Sequence, residues 1–304
     1  MAFAAFGSSP ATQAAGPVKT GKIVLALLMP GLVYLGFFFF TPLISLVITS
    51  LEVPDASGAI GAYNYGFNID NYGYVISTYL PQILRSFYYA TAATIFALLI
   101  SYPLAYYIGV KLRARPLIQR MMLVLVIAPF FISFLLRTIA WKQIFSDGGA
   151  LMQTVYSLGW MDRSQHFLGT DAAVIFGLTY NFIPFMTLPL YTTLERFDVR
   201  LIEAGSDLYA SPAKVFRKVT LPISMPGIIS GTLLVFIPIA GDYVNASGDF
   251  LGSSKTSMMG TMVQADFLQN SDYPSASALS VLLMGVIVVL VSLYVRSAGT
   301  EDLL

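Results

Sequence analysis

The chain alternates long apolar runs with short polar ones. Six runs carry no charged side chain: 23–51, 86–110, 121–136, 172–194, 221–241 and 273–295. Each reads as a helix through a hydrocarbon layer roughly 30 Å thick. The third is expected to continue to about Phe145, with Arg137 and Lys142 near its outer end. The fifth is expected to reach about Val244 and to take in Asp242. The pattern predicts an all-α membrane protein of six transmembrane helices. Residues 1–22 are rich in Ala, Gly, Ser and Pro and read as a disordered cytoplasmic tail. Residues 23–298 form the membrane domain, and 299–304 a cytoplasmic C-terminal tail. No signal peptide is expected, because the first apolar run is too long and no small-x-small cleavage site follows it.

Charge assigns the sides. Lys19 and Lys22 precede the first run. Lys111, Arg113, Arg115 and Arg120 lie between the second and third, and Arg196, Arg200, Lys214, Arg217 and Lys218 between the fourth and fifth. The opposite connections carry mainly Asp, with Arg85, Arg163 and Lys255. Basic residues mark cytoplasmic loops, so both termini and the 195–222 loop are expected in the cytoplasm. Loops 52–85, 146–171 and 245–275 are then external, the second with room for a short interfacial helix.

Composition agrees: 56% of the 304 residues are hydrophobic and 11% charged, against about 25% charged in a soluble domain. A net charge of +1 gives no field for nucleic acid. There is no cysteine, hence no disulfide and no thiolate chemistry, and the single histidine, His166, excludes a multi-histidine metal site. As a lone loop histidine it is expected to be solvated. Residues 16–22 read GPVKTGK, but Ile23 stands where a phosphate loop needs Ser or Thr, and no strand precedes it. No HExxH and no nucleophile elbow occur, so no catalytic constellation and no cofactor bound by this chain are expected.

The spans contain polar and helix-breaking residues. Pro103, Pro129, Pro184, Pro189 and Pro238 each remove a helical N–H and predict kinks around a cavity. Gly227 and Gly231 make a GxxxG pair suited to close helix packing. Charges at depth usually face a cavity or a partner. Arg137, Trp141, Tyr180, Asp242 and Tyr243 therefore read either as a polar, aromatic substrate path, or as an Arg137–Asp242 pair between helices with Trp141 as an interface aromatic.

The most informative stretch is polar: LIEAGSDLYASPAKVFRKVTLPISMPGI, residues 201–228. Leu201, Ile202, Leu208 and Tyr209 fit one apolar edge of a short helix. Ser211-Pro212 reads as a helix start with a capping hydroxyl, and Leu221-Pro222 as its stop. The stretch resembles the EAA loop of ABC-importer permeases, E-A-A-x-x-x-G-x9-I-x-L-P. Glu203, Ala204, Leu221 and Pro222 match, and Val219 takes the Ile position. Gly205 replaces the second Ala, and Tyr209 replaces the Gly. YPLAYYIG at 102–109, APFFISFLLRTIAWKQIF at 128–145 and GDYVNASGDFLGSSKTSMMGTMVQADFL at 241–268 resemble, more narrowly, the first permease of spermidine/putrescine importers, with Ser253 where a second Gly is usual.

The resemblance implies the type I ABC importer permease fold (MetI-like). It implies a heterodimer with a second permease, two cytoplasmic ATP-binding subunits that use ATP and Mg, and an external substrate-binding protein. It also implies that Glu203, Ala204, Gly205, Asp207, Leu208, Tyr209 and Pro222 meet the ATPase. Asp242, Trp141 and Tyr243 would suit a flexible dication, whereas Arg137 and Lys142 argue against one. An importer of sugars or glycerol phosphates, and a secondary transporter outside the ABC class, remain the other readings.

Overall fold

The computed structural model describes residues 21–297. The predicted tail 1–22, but for its last two residues, and the predicted tail 299–304 lie outside the described residues. The chain divides after Ser45 into two units. The first apolar run forms α1, Gly21–Thr49, whose last residues belong to the second unit.

In the second unit a two-stranded antiparallel hairpin, β1 (Val53–Pro54) and β2 (Tyr63–Asn64), precedes α2, Asp70–Tyr106. The second span therefore begins far ahead of Ser86, where the charge-free run starts. Asp70 and Arg85 lie in the helix, and charge content marks the apolar segment of a helix without marking its end. α2 closes in a π-helical turn, Tyr107–Lys111.

The third span differs most from its prediction. α3 (Pro116–Ile127) tightens into a 3-10 turn, Ala128–Phe131, and the chain turns by 92° before α4 (Phe134–Phe145) and α5 (Ala150–Ser157). Pro129 has no N–H to give the preceding turn, and Ile132 and Ser133 are extended. α6, Asp171–Arg196, is one continuous helix, started by Thr170, whose hydroxyl accepts from the Ala173 N–H at 3.3 Å.

α7 (Arg200–Asp207) and α8 (Pro212–Val215) make the polar loop. The hydroxyl of Ser211 caps nothing; its carbonyl accepts from Lys214 and Val215 instead. Leu221-Pro222 does not stop the helix. A π-helical turn, Phe216–Thr220, leads through them into α9, Leu221–Ile223, and the break falls at Ser224, with a 64° bend into α10, Met225–Ala240. Pro222 sits in the first turn of its segment, where a missing N–H costs nothing. α11 (Met259–Leu268) and α12 (Tyr273–Ser297) complete the chain. Among the described residues, up to six spans result when each bent pair counts as one.

The core of this unit is the packing of α2, α6 and α10. Ala90, Ala93, Ala97 and Ala105 of α2 meet Val174, Leu178, Met186 and Leu190 of α6 and Val235 and Ile239 of α10. Lipid offers no hydrophobic drive between helices, so small residues that allow close approach carry the association. Gly227 and Gly231 show the same device. A Cβ on Gly227 would stand 2.9 Å from the Pro189 carbonyl oxygen, and one on Gly231 3.3 Å from that of Met186.

Candidate solute path and coupling loop

Where α4, α6 and the turn after α10 meet, the core becomes polar. The Asp242 carboxylate accepts from the Asn245 backbone N–H at 2.8 Å and from Asn245 Nδ2 at 3.1 Å. Asn245 Oδ1 accepts from Asn181 Nδ2 at 3.3 Å, and Asn181 Nδ2 also reaches Thr138 Oγ1 at 3.3 Å. Thr138 spends its own proton on the Phe134 carbonyl at 3.1 Å. Gly177 makes the room, since a Cβ there would stand 2.7 Å from Asn245 Oδ1. Asp242, Asn245, Asn181 and Thr138 are all buried.

Arg137 lies beside this chain and does not join it. It is 8% exposed, its Nε and one terminal nitrogen have no hydrogen-bond partner among the described residues, and its guanidinium carbon sits 5.8 Å from the Phe134 ring centre. No Arg137–Asp242 ion pair forms; Asp242 is held by Asn245 within its own turn. His166 Nδ1 meets the Asp147 carboxylate at 2.9 Å at the surface, so the lone histidine has a carboxylate partner there. Lys142 donates to the Asp249 carbonyl at 2.6 Å, which ties its charge to the loop after α10.

The aromatic side chains gather on the same helices. Trp141 stacks on Phe145 at 5.3 Å and meets Tyr180 edge-on at 5.1 Å and Phe176 at 4.7 Å. Tyr243 is half-exposed and faces a different cleft, of about 380 Å³, with Gly260, Val263, Phe267 and Leu283. Of the five predicted path residues, Trp141 and Tyr180 are thus in contact and Tyr243 stands apart. Asn181, Asn245 and Thr138 were not predicted. Asn181 had a signal, as an amide in the middle of a charge-free span; Asn245 had none, because it reads as an ordinary loop residue.

At the other end of α6, Arg113 fastens the polar loop's entry. Its Nε donates to the Gly109 carbonyl at 2.8 Å, and one terminal nitrogen donates to the Leu194 carbonyl at 2.7 Å and to the Glu195 carbonyl. These are carbonyls that a helix end leaves free. α7 ends at Asp207, so Leu208 and Tyr209 do not continue an apolar edge with Leu201 and Ile202. Ile202 turns toward the core, while Leu208 and Tyr209 are 81% and 99% exposed. Glu203, Ala204, Asp207 and Pro222 are exposed too. Tyr209 has φ +56°, the left-handed conformation that glycine takes freely. The methyl that the EAA pattern has at Gly205 would stand 3.1 Å from Val215 Cγ2, and its absence lets α7 and α8 pack closely.

A family profile described as "Binding-protein-dependent transport system inner membrane component" matches residues 97–299. The chain belongs to this family. Curated relatives cover nearly all of the permease. The spermidine/putrescine transport system permease protein PotB of Haemophilus influenzae is 33% identical over 92% of this chain and 94% of its own length. The Escherichia coli protein of the same name is 33% identical over 87% and 94%. Two solved structures share the fold. One is a bacterial ABC transporter involved in alginate import, with a TM-score of 0.71 and 16% identity over 94% of this chain and 98% of that one. The other is the MetNI methionine ABC transporter, with a TM-score of 0.53 and 19% identity over 72% and 92%. The type I importer permease fold follows, and the secondary-transporter reading falls. The chain is the membrane-embedded component of an importer whose ATP hydrolysis belongs to a separate subunit.

Proposed function

We propose that this permease forms half of the translocation path of an ATP-driven polyamine importer, with spermidine or putrescine as solute. It pairs with a second, different permease, two cytoplasmic ATP-binding subunits and an external solute-binding protein. Both termini and the 195–222 loop face the cytoplasm, in keeping with the placement of Lys and Arg. ATP draws the ATPases together, and the exposed set Glu203, Ala204, Asp207, Leu208, Tyr209 and Pro222 transmits that movement. The helices respond as rigid bodies and switch the path between external and cytoplasmic access.

The observation that carries the solute class is the buried Asp242 carboxylate, joined through Asn245 and Asn181 to the helix bearing Tyr180 and, in turn, Trp141. Carboxylate and π faces together suit an alkylammonium. Lys142 bonds to a loop carbonyl, which weakens the case against a cationic solute. The full-length relatives named for spermidine and putrescine support the same class. The test is uptake by the complete complex in vesicles. ATP-dependent accumulation of labelled spermidine or putrescine, competed by neither maltose nor glycerol phosphate, is the expected result. Accumulation of a sugar in place of either amine sinks the assignment.

A further inference from the structure

Four bonds determine which way the Asn181 amide points. The Asp242 carboxylate can only accept, so Asn245 must turn Nδ2 toward it and Oδ1 away. Asn245 Oδ1 then needs a donor from Asn181, which can only be Nδ2. The other side gives the same answer. Thr138 has donated its proton to the Phe134 carbonyl, so its oxygen meets Asn181 as an acceptor and again demands Nδ2. Two independent neighbours thus pin the amide in one orientation. Asn181 Oδ1 is left over: a buried acceptor without a partner, on a residue 1% exposed. Arg137, next to Thr138 in the chain, has free N–H groups, yet they do not reach this oxygen.

A buried acceptor held away from every donor among the described residues is costly. Tyr180, one residue earlier on the same helix, packs edge-on against Trp141. A free amide oxygen takes an N–H donor, the group that an alkylammonium carries. We propose that Asn181 is a specificity-determining residue of the solute path, its Oδ1 accepting an N–H of an alkylammonium solute when the helices part. Asp242, Asn245 and Thr138 are positioning residues that keep the oxygen, not the NH2, presented. The inference rests on the polyamine reading above.

The test uses the whole complex in vesicles, with binding protein saturated by spermidine, and reads solute moved per ATP hydrolysed. Asn181→Leu removes the acceptor and is expected to lower that ratio by about tenfold, the low end for a hydrogen bond to a charged group. Stimulation of ATP hydrolysis by the loaded binding protein should stay near the wild-type level. Asn181→Gln keeps both the acceptor and the donor and should retain more of the ratio than the Leu variant. Asn181→Ala serves as a second loss variant should the Leu side chain block assembly. An unchanged ratio in the Leu or Ala variant overturns the proposal. So does equal damage in Leu, Ala and Gln variants with loss of assembly or of stimulated hydrolysis, which marks a structural amide. Arg137→Gln separates the remaining occupant. If Asn181 instead receives Arg137 in another state, Arg137→Gln and Asn181→Leu lower the ratio equally and the double variant no further, and the proposal falls. A wild-type complex that moves no spermidine or putrescine refutes the polyamine reading itself, whatever the variants do.

Discussion

Tyr209 occupies a backbone conformation that its side chain does not favour, and replacing it tests how the loop between α7 and α8 is built. Its φ of +56° places Cβ against the following carbonyl, at a cost of roughly 1–2 kcal/mol for a non-glycine residue. Glycine removes that strain but brings greater unfolded-chain entropy, worth about 0.5–1 kcal/mol. The side chain is 99% exposed, so its loss removes no packing within this chain. The net expectation for Tyr209→Gly is a loop more stable by about 0.5–1 kcal/mol, a two- to fivefold shift of the local opening equilibrium. Two amides report it directly: Tyr209 N–H, which donates to the Ser206 carbonyl, and Ala210 N–H, which donates to that of Gly205. Hydrogen exchange of the isolated permease in lipid should show their protection rise by that factor. Tyr209→Ala is the control, because alanine retains the left-handed penalty and should leave protection where it is. Equal gains in Gly and Ala variants would refute the strain argument and point to the ring. In the assembled transporter the same Gly variant loses an exposed aromatic that the proposal assigns to the ATPase contact. Coupled hydrolysis should then fall although the loop itself is better ordered.

Glu203→Lys reverses an exposed charge in that contact and should lower hydrolysis stimulated by the loaded binding protein, with membrane insertion intact by protease protection; normal stimulation counts against the loop's role. Orientation is open to cysteine labelling, since the chain has no native cysteine: an impermeant reagent should modify Ser254→Cys and spare Ala210→Cys in intact cells, and the reverse pattern overturns the assigned sides. Asp242→Asn leaves one oxygen to receive both Asn245 donors, so one buried bond is lost, at about 1–3 kcal/mol; uptake should fall while basal ATP hydrolysis persists, and wild-type amine uptake would remove Asp242 from the path. Gly177→Ala sets a methyl against Asn245 and Leu251, an overpacking worth about 1–3 kcal/mol, and should lower the midpoint of thermal unfolding of the purified complex; an unshifted midpoint would mean that the amide relay is loosely held.

Much of this protein is written locally along the chain. An uninterrupted apolar run must be helical in lipid, because each backbone group has to be satisfied within its own segment. That requirement makes 172–194 and 273–295 legible as α6 and α12, and the helix start at Pro212 is legible in the polar loop between them. The breaks were legible only in part. Pro129 marks a kink in the third span but not its 92°, and the bend at Ser224 falls past Pro222. Hydrophobicity records which solvent a residue meets and is silent on the direction of the axis. The amide relay is decided only by tertiary contact. Asn245, in a loop, and Asn181, in a span, are 64 residues apart, and neither orientation has meaning until Asp242 and Thr138 close on them from opposite sides. Arg137 and Asp242 looked like partners because opposite charges at similar depth attract. The fold gives the carboxylate nearer donors within its own turn and leaves the guanidinium against Phe134, since a hydrogen bond depends on direction and distance that composition does not contain.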